Sequence, residues 1–170
     1  MISKIGNLDE YKIVVTGIAG FLGGRLVQAL LENGSFVVGI DYRNPSARPL
    51  TDFKKYKSFR FICGDIFKKS NEAKALLKTD KRRKSAVFHL AGLANVKECE
   101  ENPSHAFESN VSLTYHVLEF CRLNGIKNFL FPSTGLVYGD HLRHPATEDD
   151  PTHPKNLYVS TKVSAEALIQ

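Results

Sequence analysis

Short, unbroken apolar runs alternate along this chain with stretches in which apolar residues recur every three or four positions. The first run, Ile13-Val14-Val15, lies in YKIVVTGIAGFLGG (Tyr11–Gly24) and has the character of a strand buried on both faces. Phe21, Leu22, Leu26, Val27, Leu30 and Leu31 then follow at helical spacing, up to the stop signal Asn33-Gly34. Further strands are predicted over Phe36–Ile40, Phe59–Cys63, Ala86–Leu90 and Asn128–Pro132. Between them, a polar helix is predicted over Glu72–Leu77 and a long one from the Asn102-Pro103 start to Gly125. A last helix is predicted over Leu157–Gln170. Asn44–Pro49 is a proline-punctuated loop, and no repeat or low-complexity segment occurs. Strand and helix alternating from end to end predict an α/β fold: a parallel, doubly wound sheet of Rossmann type.

The 170 residues suit one domain, with 42% hydrophobic and 24% charged residues. No apolar run approaches a membrane span, and the start MISKIGNLDEYK lacks a signal-peptide core, so no membrane partner is expected. Cys63, Cys99 and Cys121 share no ligand spacing and read as reduced thiols of a cytoplasmic protein. The net charge of +5 is concentrated between Lys54 and Lys84, with twelve Lys/Arg against three acids. Aromatics there do not alternate with the basic residues as a base-stacking platform requires, so a solvated face is expected and nucleic acid is not. His141, His144, His153, Glu148, Asp149 and Asp150 crowd one loop without metal-ligand spacing, so no metal is expected.

Chemistry gathers at the predicted strand ends. Gly17, Gly20 and Gly23 are spaced G-x-x-G-x-x-G between a strand and a helix, which allows a tight turn, close backbone approach to a pyrophosphate and close helix packing. Asp41 closes the second strand, where an acid can accept from an adenosine ribose hydroxyl and repel a 2′-phosphate; this favours NAD over NADP, with Arg43 nearby as the counter-indication. Asp65 could meet an adenine edge and Ile66 its face. Ala91-Gly92 ends the fourth strand with small residues, and Thr134 follows the fifth. Ligands of doubly wound sheets bind at these carboxyl ends.

Tyr158 and Lys162 stand four residues apart, on one helix face. A nearby ammonium favours the phenolate, so Tyr158 could exchange a substrate hydroxyl proton while Thr134 orients the same oxygen and Lys162 binds the nicotinamide ribose. Asn110 is a polar residue in mid-helix that either satisfies local backbone or holds a group beside a site.

Taken in order, TGIAGFLG (Thr16–Gly23), Asp41, GDI (Gly64–Ile66), HLAG (His89–Gly92), Asn110-Val111, PSTGLVYGD (Pro132–Asp140) and YVSTK (Tyr158–Lys162) with Glu166 beyond resemble the NAD-dependent epimerase/dehydratase family, the extended short-chain dehydrogenase/reductases. The resemblance implies catalytic positions at Thr134, Tyr158 and Lys162, with Asn110 in support. It implies NAD contacts at Gly17, Gly20, Phe21, Leu22, Gly23, Asp41, Asp65, Ile66, Leu90, Ala91 and Gly92, with Asn110, Tyr158 and Lys162 contributing. It further implies a nucleotide-sugar substrate and a homodimer built on the Asn102–Gly125 and Tyr158 helices. Sugar dehydratases of this family carry an acid after the catalytic Ser/Thr; Gly135 and Leu136 stand there instead, which leaves 4-epimerisation or keto/hydroxy redox chemistry. A non-catalytic NAD(H)-binding module is the alternative from another class. Family members run about twice as far, so residues 1–170 are expected to be the cofactor domain, ending before the substrate-binding lobe.

Overall fold

The computed structural model describes residues 7–43, 50–77, 83–140 and 145–170. The Asn44–Pro49 loop, Lys81 and Arg82 of the basic run, and His141 and His144 lie outside the described residues.

Five parallel strands form one sheet: β1 (Tyr11–Thr16), β2 (Phe36–Asp41), β3 (Phe59–Cys63), β4 (Lys84–His89) and β5 (Asn128–Leu130), in the order β3-β2-β1-β4-β5. The chain winds outward from β1 to β3, then returns to β1 and continues on its other side. That reversal between β1 and β4 is the switch point of a doubly wound sheet. The register pairs Val14 with Val38 on one side and Val87 on the other, so the apolar run of β1 is covered by neighbours that are themselves apolar. Ile13, Val15, Val27, Leu30, Leu31, Val37 and Phe59 form the core between this sheet and α1 (Phe21–Glu32). Lys12 is buried in β1, and its ammonium reaches the Leu77 carbonyl at the end of α3 (Ile66–Leu77), where a cation opposes the helix dipole.

Several boundaries depart from the sequence reading. α3 starts at Ile66, well before Glu72, because the Asp65 carboxylate accepts the Phe67 N–H at 2.8 Å and caps the first turn. Ile66 is thereby buried at the head of a helix. In α1 the buried stripe is Gly23, Gly24, Val27, Leu30 and Leu31, whereas Phe21 and Leu22 are 86% and 58% exposed. A short helix α4 (Val96–Glu101) occupies a stretch for which none was expected.

The long helix starts at Pro103 and ends before Gly125, as its punctuation indicates, but it is not uniform. α5 (Pro103–Phe107) leads into a π turn (Glu108–Ser112) and then α6 (Leu113–Asn124). α2 (Leu50–Phe53) and α7 (Leu157–Ile169) complete the helices among the described residues, with a 3₁₀ turn at Gly135–Tyr138. Arg83 donates to the Gly34 carbonyl at 3.3 Å and Lys84 pairs with Glu10 at 3.7 Å, so the described end of the basic run is tied into its own fold. No helix among the described residues is long and apolar enough to cross a membrane.

Contacts divide the chain into two compact units. One comprises Met1–Ala91 with Glu119–Phe131 and holds the whole sheet; the other comprises Gly92–Leu118 with Pro132–Gln170.

Candidate functional site

In the sheet unit, Gly17 and Gly23 sit where a side chain has no room. Gly17 follows β1 with φ +73°, and its N–H donates to the Ile40 carbonyl at 2.8 Å. A Cβ there would lie 2.6 Å from the Ala91 nitrogen and 2.8 Å from the Ala91 Cα, so this turn and the segment leaving β4 meet backbone to backbone. A Cβ on Gly23 would lie 2.7 Å from the Ile18 Cα and closer still to the Gly17 carbonyl, which is the tight helix–strand packing expected of the third glycine. Gly20 is the N-cap of α1 and supplies no side-chain cap. The first turn of α1, with Phe21 and Leu22 exposed, therefore presents amides and the positive end of a twelve-residue helix, the arrangement that holds a phosphate.

Asp41 stands at the end of β2, but buried rather than free. One carboxylate oxygen accepts the Ala19 N–H at 2.9 Å; the other accepts the Arg43 N–H at 2.9 Å and lies 3.4 Å from the Arg43 Nε. Asp41 thus pins the glycine turn to β2 while keeping part of its acceptor capacity, since an ionised carboxylate offers about four lone-pair directions. Asp65 is exposed beside its capped turn, Ile66 is buried, and Leu90 packs half-buried on the core. The Ala91 N–H donates to Thr16 Oγ1 at 3.2 Å, and that hydroxyl also pairs with His89 Nδ1 at 2.7 Å. The sheet unit thus gathers Gly17, Gly20, Gly23, Asp41, Leu90 and Ala91 around the end of β1.

In the second unit, Asn110 is 4% exposed and lies in the π turn. Its Oδ1 accepts the Leu93 N–H at 2.7 Å, and its Nδ2 donates to the Leu93 carbonyl at 3.0 Å and to Thr161 Oγ1 at 2.9 Å. A Cβ on Gly92 would lie 2.8 Å from that Oδ1, so the residue beside Leu93 must also be small. The Asn110 side chain therefore joins the Gly92-Leu93 segment to α7, one residue ahead of Lys162.

Asn156 caps α7 by accepting the Val159 N–H at 2.9 Å, and Tyr158 and Lys162 follow one turn apart on the helix. α7 packs against the 3₁₀ turn whose N-cap is Thr134; the Thr134 hydroxyl accepts the Leu136 N–H at 3.3 Å and keeps its proton to donate. Lys162 Nζ donates to the Pro132 carbonyl at 2.7 Å. Burial pushes the Lys162 ammonium down to about 8, while the Glu166 carboxylate pulls it back up. The Ser133 hydroxyl donates to Glu166. Tyr158 and Lys162 on α7, and Thr134 at the head of the turn on which α7 packs, thus lie in the second unit, together with Ser133, Thr161 and Glu166, to which sequence reasoning gave no role. The polar loop is braced in the described part by Lys155–Asp140 at 2.5 Å, and no group of three or more metal-ligating side chains occurs among the described residues. The α4 cap had a readable signal: Asn95 accepts the Glu98 N–H at 3.1 Å, and Asn-x-x-Glu is a capping-box spacing.

Fold and geometry together define a doubly wound α/β protein with a Tyr/Lys helix. Residues 13–170 match the NAD dependent epimerase/dehydratase family, and the chain belongs to it. It is 33% identical over 160 residues to UDP-glucose 4-epimerase of Mycolicibacterium smegmatis, covering 93% of this chain and 50% of that protein. Among solved structures, UDP-glucose 4-epimerase from Brucella ovis in complex with NAD superposes with a TM-score of 0.77 at 30% identity, over 93% of this chain and 46% of that one. UDP-glucuronic acid 4-epimerase from Bacillus cereus, in complex with UDP-glucuronic acid and NAD, gives a TM-score of 0.78 at 32% identity, over 92% and 50%. The chain spans about half the length of these relatives.

Proposed function

We infer that this chain is the cofactor-binding and proton-transferring portion of an NAD-dependent nucleotide-sugar 4-epimerase. The observation that carries the reading is Tyr158 and Lys162 one turn apart on α7, which packs on the turn capped by Thr134, in a chain whose β1–α1 junction has no room for a side chain at Gly17 or Gly23. The residues present fit a dinucleotide. The Phe21–Gly23 amides would take its pyrophosphate, Asp41 its adenosine ribose, and Lys162 its nicotinamide ribose. When bound, the nicotinamide supplies hydride acceptance and return at the sugar C4.

The chain's own residues handle the proton. Thr134 donates to the C4 oxygen and orients it, and Tyr158 takes the hydroxyl proton and gives it back to the same oxygen. The Lys162 cation favours the phenolate that this requires. Gly135 and Leu136 offer no acid for eliminating water, which supports epimerisation over dehydration.

The protein is proposed to act as a cytoplasmic homodimer. Cys63, Cys99 and Cys121 are free thiols, as a reducing compartment favours, and Phe107 and Tyr115 stand exposed along the α5–α6 rod. Light scattering that returned a monomer would remove the dimer.

The reading is tested by titrating this chain with NAD in a calorimeter and by incubating the whole epimerase, of which it is the proposed portion, with UDP-sugars. Saturable NAD binding and sugar interconversion without net change in NADH absorbance are expected. Tyr158→Phe should lower turnover by about 10²–10⁴-fold while NAD affinity holds. Net NADH formation would make the protein a dehydrogenase or reductase of another keto/hydroxy substrate. Biological activity indifferent to Tyr158→Phe would make it a non-catalytic NAD(H)-binding module.

A further inference from the structure

α7 grips the segment ahead of Thr134 at two consecutive residues. Lys162 Nζ donates to the Pro132 carbonyl at 2.7 Å, and Glu166, one turn later on the same helix, accepts the Ser133 hydroxyl. The two rungs carry opposite charges at i,i+4 spacing, so they attract one another as well as their separate partners. The Tyr/Lys chemistry makes no direct use of Glu166, yet its carboxylate touches the residue next to Thr134 and it stands one helical turn from Lys162.

We propose that Glu166 is a positioning residue of the Tyr158/Lys162 group: bound to Ser133, it fixes the strand-end segment that presents Thr134, and its charge holds Lys162 as a cation in a half-buried place. The proposal rests on the functional reading above for its catalytic meaning. Its physical content, a hydrogen bond and a field, is independent of that reading.

Other ionisable groups surround α7: Lys97, Glu98, Glu100 and Glu101 on α4, His105 on α5 and Glu108 in the π turn. Tyr138 belongs to the 3₁₀ turn that packs on α7, and Tyr158 lies on the helix itself. Glu166 is the charged group whose field reaches Lys162 and opposes the effect of burial. Glu166→Gln separates the two contributions, because an amide oxygen still accepts the Ser133 hydroxyl while the charge is gone. Ser133→Ala does the reverse.

The titration of Lys162 is read in the 170-residue chain without cofactor, from the pH dependence of its amine-labelling rate by peptide mass spectrometry. A midpoint of about 8 is expected in the unaltered chain. Glu166→Gln is expected to lower it by roughly one unit, a tenfold change in the charged-to-neutral ratio. Ser133→Ala should leave the midpoint in place and speed amide exchange across Gly135–Tyr138. An unmoved midpoint in a cooperatively melting Glu166→Gln chain overturns the proposal, because a merely structural glutamate would give that result. If Glu166→Gln does not fold, Glu166→Asp replaces it. Retention of the midpoint then supports the charge role, and a fall of a full unit with the charge still present overturns it. Failure of NAD to bind would remove the functional reading while leaving the Lys162 titration to decide the role of Glu166.

Discussion

Replacing Asn110 with leucine keeps the volume of the side chain and removes its three hydrogen bonds. The cost can be worked bond by bond. Thr161 Oγ1 loses a donor but still donates to the Tyr158 carbonyl at 2.7 Å, and the Leu93 carbonyl keeps the Cys99 thiol at 3.7 Å. Neither is orphaned, so each loss is an ordinary one of about 0.5–1.5 kcal/mol. The Leu93 N–H loses its partner at 2.7 Å in a part-buried position, which adds about 1–3 kcal/mol. Burying the isobutyl group offsets about 1.5 kcal/mol or more. A net loss of about 2 kcal/mol follows.

With a urea m-value of about 2 kcal/mol/M, that loss displaces the unfolding midpoint by about 1 M. Equilibrium urea unfolding followed by far-UV circular dichroism is the assay. A displacement under about 0.25 M would refute the reasoning, since the Asn110 bonds would then carry no weight. Asn110→Asp provides a second, pH-resolved check. A carboxylate at this buried position faces the Leu93 carbonyl, so its native pKa rises above the unfolded value. The folded chain then holds a proton that the unfolded chain releases, and stability falls as pH rises through that window. The gap to the unaltered chain should widen as pH rises above about 4, the unfolded aspartate value; a gap independent of pH would mean that Asn110 does not donate to Leu93.

Other perturbations give equally definite results. Gly17→Ala forces a side chain into a positive-φ site and against the Ala91 backbone, so a loss of roughly 3 kcal/mol in urea unfolding is expected, together with loss of NAD affinity. Lys162→Met removes an ammonium whose native pKa lies near 8 against an ordinary 10.5. The unfolded state binds the extra proton between those values, so native stability rises with pH across that window. The methionine variant should gain roughly 1 kcal/mol at pH 7, after allowance for solvent screening and the lost Pro132 bond, and lose that advantage by about pH 10.5. Thiol labelling of the native chain at pH 8 should modify exposed Cys63 alone. Burial raises the Cys99 thiol and pushes Cys121 up to about 12, and reaction of either at the Cys63 rate would contradict their packing.

What could be read from the sequence was what short-range physics fixes. Ile13-Val14-Val15, the glycine spacing and the Pro103 and Gly125 punctuation each act within a few residues, and the strands, the β1–α1 turn and the ends of the long helix follow from them. The misread features depend on partners distant in the chain. Phe21 and Leu22 have the spacing of a packed stripe, yet both are exposed and the buried face begins at Gly23, where the helix meets the Gly17-Ile18 turn. The bond that Asp41 accepts from Ala19, twenty-two residues earlier, likewise leaves no local mark in the sequence.

The π turn is the sharpest case. Nothing between Glu108 and Ser112 disfavours an ordinary α-helix, and the Thr114 hydroxyl bonding back to the Asn110 carbonyl at 2.6 Å is equally compatible with one. What distinguishes this turn is that Asn110 must meet Leu93, seventeen residues before it, and Thr161, fifty-one residues after it. Inserting one residue into the helix rotates the side chain toward both, and the distortion is held by bonds to the segment bearing Gly92 and to the helix bearing Tyr158 and Lys162. Widened turns of this kind recur at functional sites because they aim a side chain that regular geometry would misdirect. Here the aimed side chain ties α7 to the Gly92-Leu93 segment through Thr161, while Glu166 ties the same helix to the strand-end segment through Ser133.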